Sequence, residues 1–176
     1  MAIDRKHLGR RYGPYRFVVG VEHVRDFVAA TAMGVPGRVL GAPPQGAHPW
    51  TWDEAAAAAS PHGGLVAPPS FAATFAIEPF SAACMDPALG IDLMRLVHGE
   101  QAFDFLAPIR PGDVMTTTGE ITDLRERGPL DFVEVTTTSV NQRGETVVRG
   151  AWTAIIRGGR ALGMLLAARR LMGKSA

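Results

Sequence analysis

With 176 residues, a formal net charge of +1 and a charged fraction of 20 %, the chain has the length of one domain with a substantial core and no bulk electrostatic pull toward nucleic acid. Its single cysteine, Cys84, excludes an intrachain disulfide framework and any cysteine-rich zinc site. The N-terminus, Met1-Ala2-Ile3-Asp4-Arg5-Lys6-His7, is polar and lacks the apolar core of a signal peptide. No apolar run reaches the ~20 residues of a spanning helix, so the expectation is a cytoplasmic chain with no membrane span.

Arg10 to Val19 reads as a short extended segment in which Tyr15, Phe17 and Val19 alternate with polar or small neighbours. Val21, Val24, Phe27, Val28 and Met33 are spaced for one helix face, with Glu22, Arg25 and Asp26 on the other. Met33-Gly34-Val35-Pro36-Gly37 predicts its end, and a long Gly- and Pro-rich loop follows up to Pro49. Trp52-Asp53-Glu54 leads into the alanine run Ala55 to Ala59, which is helical by propensity. Ser60-Pro61-His62-Gly63-Gly64 closes that helix.

The stretch from Gly63 to Ile77 is almost free of charge. Pro68-Pro69 suits the opening of a helix, where the missing N–H is not needed. Phe71 and Phe75 share a face, and Ala72, Ala73, Ala76 and Ile77 extend the apolar surface nearly all round, which predicts a helix buried on every side. After Ile77 the chain is expected to loosen through Pro79, Pro87 and Gly90.

Strands dominate from Arg95. Val97, Gln101, Phe103 and Phe105 read as one face of a strand, and His98, Glu100 and Asp104 as the other. Pro108 to Asp113 is a turn, and Val114–Asp123 and Phe132–Val140 are strands rich in Thr, Val and Ile around Arg127-Gly128-Pro129. Asn141-Gln142-Arg143-Gly144 signals a hairpin with Thr146–Arg157 as the return strand, and Ala161 to Met172 predicts a C-terminal helix ending in cations. The order is an α+β pattern with a curved antiparallel sheet around one apolar helix. No repeat or linker divides it.

Five pieces, in this order, resemble the MaoC-like hydratases and dehydratases of the hot-dog fold, in particular their N-terminal dehydratase type and the A subunit of heterodimeric (3R)-hydroxyacyl-carrier-protein dehydratases. They are Tyr12–Val19, the helix Val21 to Val28, Leu65-Val66-Ala67-Pro68-Pro69-Ser70-Phe71, Leu96 to Phe103 with Pro111-Gly112-Asp113, and Val140-Asn141-Gln142-Arg143-Gly144-Glu145. The resemblance implies a single hot-dog domain over residues 1–160 with a C-terminal helix or tail over 161–176. It also implies reversible hydration of an enoyl thioester carried on coenzyme A or an acyl carrier protein, with no other cofactor and no metal.

In active members an Asp-x-Asn-Pro-x-His motif after the first helix holds the water, because a general base must lie within hydrogen-bond reach of the proton it takes. A backbone amide at the start of the buried helix, usually from a His-Gly pair, polarises the thioester carbonyl. Such a donor is worth about 3 kcal/mol. This sequence departs from both patterns. Between Ala32 and Trp50 there is no aspartate and no Asn-Pro, and His48 alone answers to the motif. Pro68-Pro69 stands where His-Gly is expected, and proline has no N–H. Ser70 N–H is the nearest substitute.

His98 and Glu100, two apart on a strand, are expected on one side of it. They read as a replacement acid/base pair or as the edge of a subunit contact, and the second reading is preferred. His62 reads as a helix-terminating residue, and His7 and His23 as surface residues. Glu78 would interest a thioesterase. Ser70 lacks a nucleophile-elbow context and reads as a cap or carbonyl contact. Trp50 and Trp52 pack the loop or wall an acyl tunnel, and nothing has metal-ligand spacing. The resulting expectation is a non-catalytic subunit that binds an acyl chain through Ser70, Phe71, Ala72, Ala73, Phe75 and Trp50. Its partner is a second hot-dog subunit, as a homodimer or with a catalytic MaoC-like chain. The alternatives are a self-sufficient enoyl-CoA hydratase using His98 and Glu100, with His48 as a further candidate, and a stand-alone acyl-thioester binder or hot-dog thioesterase.

Overall fold

The computed structural model describes residues 3–31 and 46–157; the expected C-terminal helix and the end of the first helix at Met33 lie outside them. Strands Arg11–Val18 (β1), Leu96–Phe105 (β2), Val114–Arg127 (β3), Leu130–Val140 (β4) and Thr146–Arg157 (β5) form one antiparallel sheet. Its order is β1-β3-β4-β5-β2. Among the described residues no helix is long and apolar enough to cross a membrane.

Sequence period sets the inner face of this sheet. In β4 every second side chain, Asp131, Val133, Val135, Thr137 and Ser139, is buried and the ones between are half-buried, as a sheet covered on one face requires. The long strands are joined by tight turns at Gly128 (φ +60°) and Gly144 (φ +77°). The second turn is braced by Asn141, whose Oδ1 accepts from the amides of Arg143 at 3.0 Å and Glu145 at 3.1 Å.

The apolar stretch becomes a broken helix lying across the inner face. A 3-10 turn, Pro69–Ala72, leads into a short helix, Ala73–Ala76 (α3), and then into Glu78–Met85 (α4). The expected loosening does not begin at Pro79, which lies inside α4; it begins after Met85, where Pro87 and Gly90 sit in a turn. Pro79 removes one intrahelical donor and breaks the helix between α3 and α4 without ending it, because a proline near a helix start is tolerated. The expectation of burial on every side is also corrected. Phe71, Ala72, Phe75, Ala76, Phe80 and Ala83 are buried, whereas Ser70, Thr74, Glu78 and Met85 are exposed. Alanine offered apolar surface in all directions, and tertiary contact selected one stripe.

Phe71 and Phe75 meet Phe17 of β1 at ring distances of 6.2 and 5.7 Å. Phe27, on the helix Val21–Thr31 (α1), meets Phe71 edge-on at 5.5 Å. Trp152 of β5 is fully buried, lies 5.8 Å from Phe80 and donates from Nε1 to Thr137 Oγ1 at 3.0 Å. The alanine run forms the helix Glu54–Ala58 (α2), started by Asp53, whose carboxylate accepts from the amides of Ala55 and Ala56.

Candidate functional site

Two backbone hydrogen bonds tie the entry of the broken helix into place. Val66 N donates to Trp50 O at 3.1 Å, and Ala67 N donates to Ile109 O at 2.8 Å. The segment before Pro68 is therefore held between the turn at Pro49–Thr51 and the chain leaving β2. The buried Asp113 carboxylate steadies that exit, accepting from Arg110 N at 2.9 Å with the Arg143 guanidinium 3.4 Å away.

These segments enclose a cavity of about 560 Å³. His48, Trp50 and His62 form one wall, Pro68 and Pro69 stand at the helix entry, and Phe105, Leu106, Pro108 and Ile109 form the side toward the end of β2. Thr51, Val66, Ala67 and Ala107 complete it, and among the described residues the lining carries no carboxylate. An apolar concavity with a few polar groups is the usual form of a small-molecule site.

Local sequence places the polar wall. His48 caps the 3-10 turn Pro49–Thr51, its Nδ1 accepting from Trp50 N at 3.3 Å. Thr51 Oγ1 donates to His48 O at 2.7 Å. Ser60 Oγ donates to Ala57 O at 2.6 Å and accepts from His62 N at 3.1 Å, which turns the chain at the end of α2. The Trp50 indole is thereby flanked edge-to-face by His48, with centroids 4.7 Å apart, and by His62, at 5.3 Å.

Of the expected substrate-binding residues, Trp50 lines this cavity. Phe71, Ala72 and Phe75 belong to the core, Ala73 is half-buried beside it and Ser70 is exposed outside the cavity wall. Among the catalytic candidates, His48 lines the cavity and His98 and Glu100 do not. His62, expected as a helix-terminating residue, sits in the turn that ends α2 and also lines the cavity wall. The turn chemistry at Ser60 was legible, but its distance from Trp50 was not. Phe105 and Leu106 were missed for the same reason: the chain reversal after β2 that brings them to the helix entry has no local signal.

The expected His98/Glu100 pair is corrected. Partner residues step from Ala154 opposite His98 to Thr153 opposite Glu100, so Gly99 forms a bulge and the two side chains leave opposite faces of β2. His98 lies on the same face as Trp152, exposed at the sheet edge, with its ring 5.3 Å from Phe80 and 5.8 Å from Trp152. Glu100 shares the outer face with Asp104, and Val97 joins them there. Glycine suits the bulge, because a Cβ at Gly99 would stand 2.5 Å from Ile155 Cδ1 and force that side chain to move.

His7, expected at the surface, is buried at 7 % exposure, while His23 is exposed and packs on Phe17 at 5.6 Å. Glu78 is exposed on the broken helix, away from the cavity. Burial raises the Cys84 thiol to about 11, which leaves it protonated and unreactive at neutral pH. Among the described residues no group of three or more His, Cys, Asp or Glu is placed to hold a metal ion.

A five-stranded antiparallel sheet wrapped on a central helix, with an apolar pocket at the helix entry, defines the hot-dog fold of MaoC-like dehydratases. The chain belongs to the FAS1-like, dehydratase domain region family, whose model matches residues 6–149. A UPF0336 protein of Streptomyces coelicolor is 33 % identical over 157 residues, covering 89 % of this chain and 95 % of that one. Among solved structures, the chain is similar to the C-terminally truncated HadBC (3R-hydroxyacyl-ACP dehydratase) complex of Mycobacterium tuberculosis. The TM-score is 0.67 at 26 % identity, over 85 % of this chain and 96 % of that one. The (R)-hydratase of A. caviae involved in PHA biosynthesis shares the fold at a TM-score of 0.60 and 21 % identity, over 84 % and 94 % of the two chains.

Proposed function

We propose that this chain is the acyl-binding, non-catalytic half of a cytoplasmic (3R)-hydroxyacyl-thioester dehydratase or enoyl-thioester hydratase, and that a second hot-dog chain supplies the acid/base pair. The observation that carries the reading is the cavity itself. It has room for an acyl chain, no carboxylate among the described residues of its lining, and Pro68 and Pro69 at the helix entry, where a backbone N–H would otherwise meet a carbonyl. Adding or removing water across a carbon–carbon bond needs a group that takes a proton and one that gives it back. Two imidazoles without a carboxylate to orient them are a poor substitute for that pair.

The free edge of β2 supports the partner. Among the described residues β2 is paired on one side only, with β5, and its side chains are exposed along nearly its whole length. Val97, Phe105 and Leu106 are 39 %, 44 % and 54 % exposed. A long exposed edge strand carrying such apolar side chains favours pairing with another sheet. The HadBC relative is itself a complex of two chains.

In this reading the acyl group arrives on coenzyme A or an acyl carrier protein and no further cofactor takes part. The test is the unfolding midpoint of the full chain with and without a 3-hydroxyacyl thioester. Ligand that binds the folded state alone raises the midpoint. A concentration-dependent rise in the wild type that is lost in Trp50→Ala is the expected result. A midpoint indifferent to acyl thioesters would overturn the assignment.

A further inference from the structure

We infer that the Nε2–H of His48 is the donor that holds the thioester carbonyl in this cavity, taking the place of a backbone amide. The inference rests on the acyl-binding reading and deepens it by assigning the carbonyl contact to one atom.

The wall has few donors to offer. Pro68, Pro69 and Pro108 have no N–H. The amides of Trp50, Thr51, His62, Val66, Ala67, Leu106 and Ala107 are already spent on His48 Nδ1, His48 O, Ser60 Oγ, Trp50 O, Ile109 O and, for the last two, Val147 O. The Thr51 hydroxyl donates to His48 O. Among the described wall residues the remaining side-chain donors therefore come from the His48–Trp50–His62 array.

Within that array His48 has its tautomer fixed. Its Nδ1 accepts the Trp50 amide at 3.3 Å, so the neutral ring carries its proton on Nε2. No hydrogen bond to Nε2 is present among the described residues. The indole of Trp50, 4.7 Å away by ring centroid, fixes the plane of the imidazole. A donor of defined tautomer, held by a cap on one side and an aromatic ring on the other, can orient an otherwise apolar ligand. His62, with no hydrogen bond at either ring nitrogen to select its tautomer among the described residues, packs edge-on against the indole and supports the array.

The substitutions that test this separate the two nitrogens. Asparagine presents an oxygen where Nδ1 sits, so His48→Asn keeps the turn cap and removes the distal donor. Glutamine presents its amide near Nε2, so His48→Gln restores the donor. The full chain is titrated by calorimetry with hexanoyl and dodecanoyl thioesters of N-acetylcysteamine and with the thioethers that lack the carbonyl. Wild type is expected to bind thioester about 3- to 10-fold tighter than thioether, the range of one hydrogen bond. His48→Asn should erase that preference by weakening the thioester alone, and His48→Gln should recover most of it. In wild type, the infrared carbonyl stretch of a 13C-labelled thioester should fall on binding, a readout that needs no variant to fold. Equal weakening of thioester and thioether in His48→Asn, or a wild type without preference, overturns the inference and leaves acyl binding standing. A wild type that binds neither ligand overturns both.

Discussion

Gly119 of β3 lies directly beneath Pro79 of α4. A Cβ built on Gly119 would overlap the Pro79 ring and press on Thr137 Cγ2 at 3.3 Å. The missing side chain lets the proline break of the helix settle onto the sheet.

Gly119→Ala should therefore destabilise the protein by about 1–3 kcal/mol, the usual cost of overpacking a filled core. The rigid proline ring cannot turn aside as a flexible side chain would. The midpoint of urea unfolding measures the loss, and a midpoint equal to wild type would mean that the helix shifts without penalty.

A second contact anchors the other end of that helix. Tyr12 Oη donates to Asp86 Oδ2 at 2.9 Å, and Arg10 Nη2 lies 2.7 Å from the same oxygen. Burial first, and then the Asp86 carboxylate, push the Tyr12 phenol from its ordinary 10 up to about 12. The protonated phenol is the donor, so its contribution is complete below pH 10 and is lost as pH rises toward about 12. In that window the folded chain holds a proton that the unfolded chain has released, and stability falls. Thermal midpoints across it should drop more steeply for wild type than for Tyr12→Phe. Parallel curves would contradict the assignment.

The exposed edge of the sheet gives a third expectation. Val97 sits on the outer face of β2 at 39 % exposure, so Val97→Glu should leave the monomer folded. It should weaken pairing with a second hot-dog chain, seen as a lower mass in light scattering of the co-purified pair. An unchanged mass with unchanged affinity would move the interface elsewhere.

Much of this architecture was legible in the sequence because it rests on local rules. The three long strands were marked by alternation and by Gly128 and Gly144, α2 by its alanine run and Asp53, and the helix entry by paired prolines. What was not legible depends on contacts between distant segments. Pro79 read as a breaker because nothing nearby reveals Gly119 beneath it. His98 and Glu100 read as neighbours because a bulge at Gly99 shows only when Ile155 is set against it. The cavity was half visible: Trp50 and His48 were singled out, whereas His62 and Phe105 reach the same wall through turns whose direction the sequence does not encode.

The central claim is that this chain binds the acyl group and leaves the chemistry to a partner. The measurement that tests it most directly is hydration of a trans-2-enoyl thioester, followed by loss of the enoyl absorbance. It is run with the purified chain alone and again with a second hot-dog chain carrying an intact Asp-x-Asn-Pro-x-His motif. No turnover above background is expected for the chain alone and robust turnover for the pair, with activity abolished when the partner's motif aspartate is removed. Robust turnover by the purified chain alone would contradict the claim.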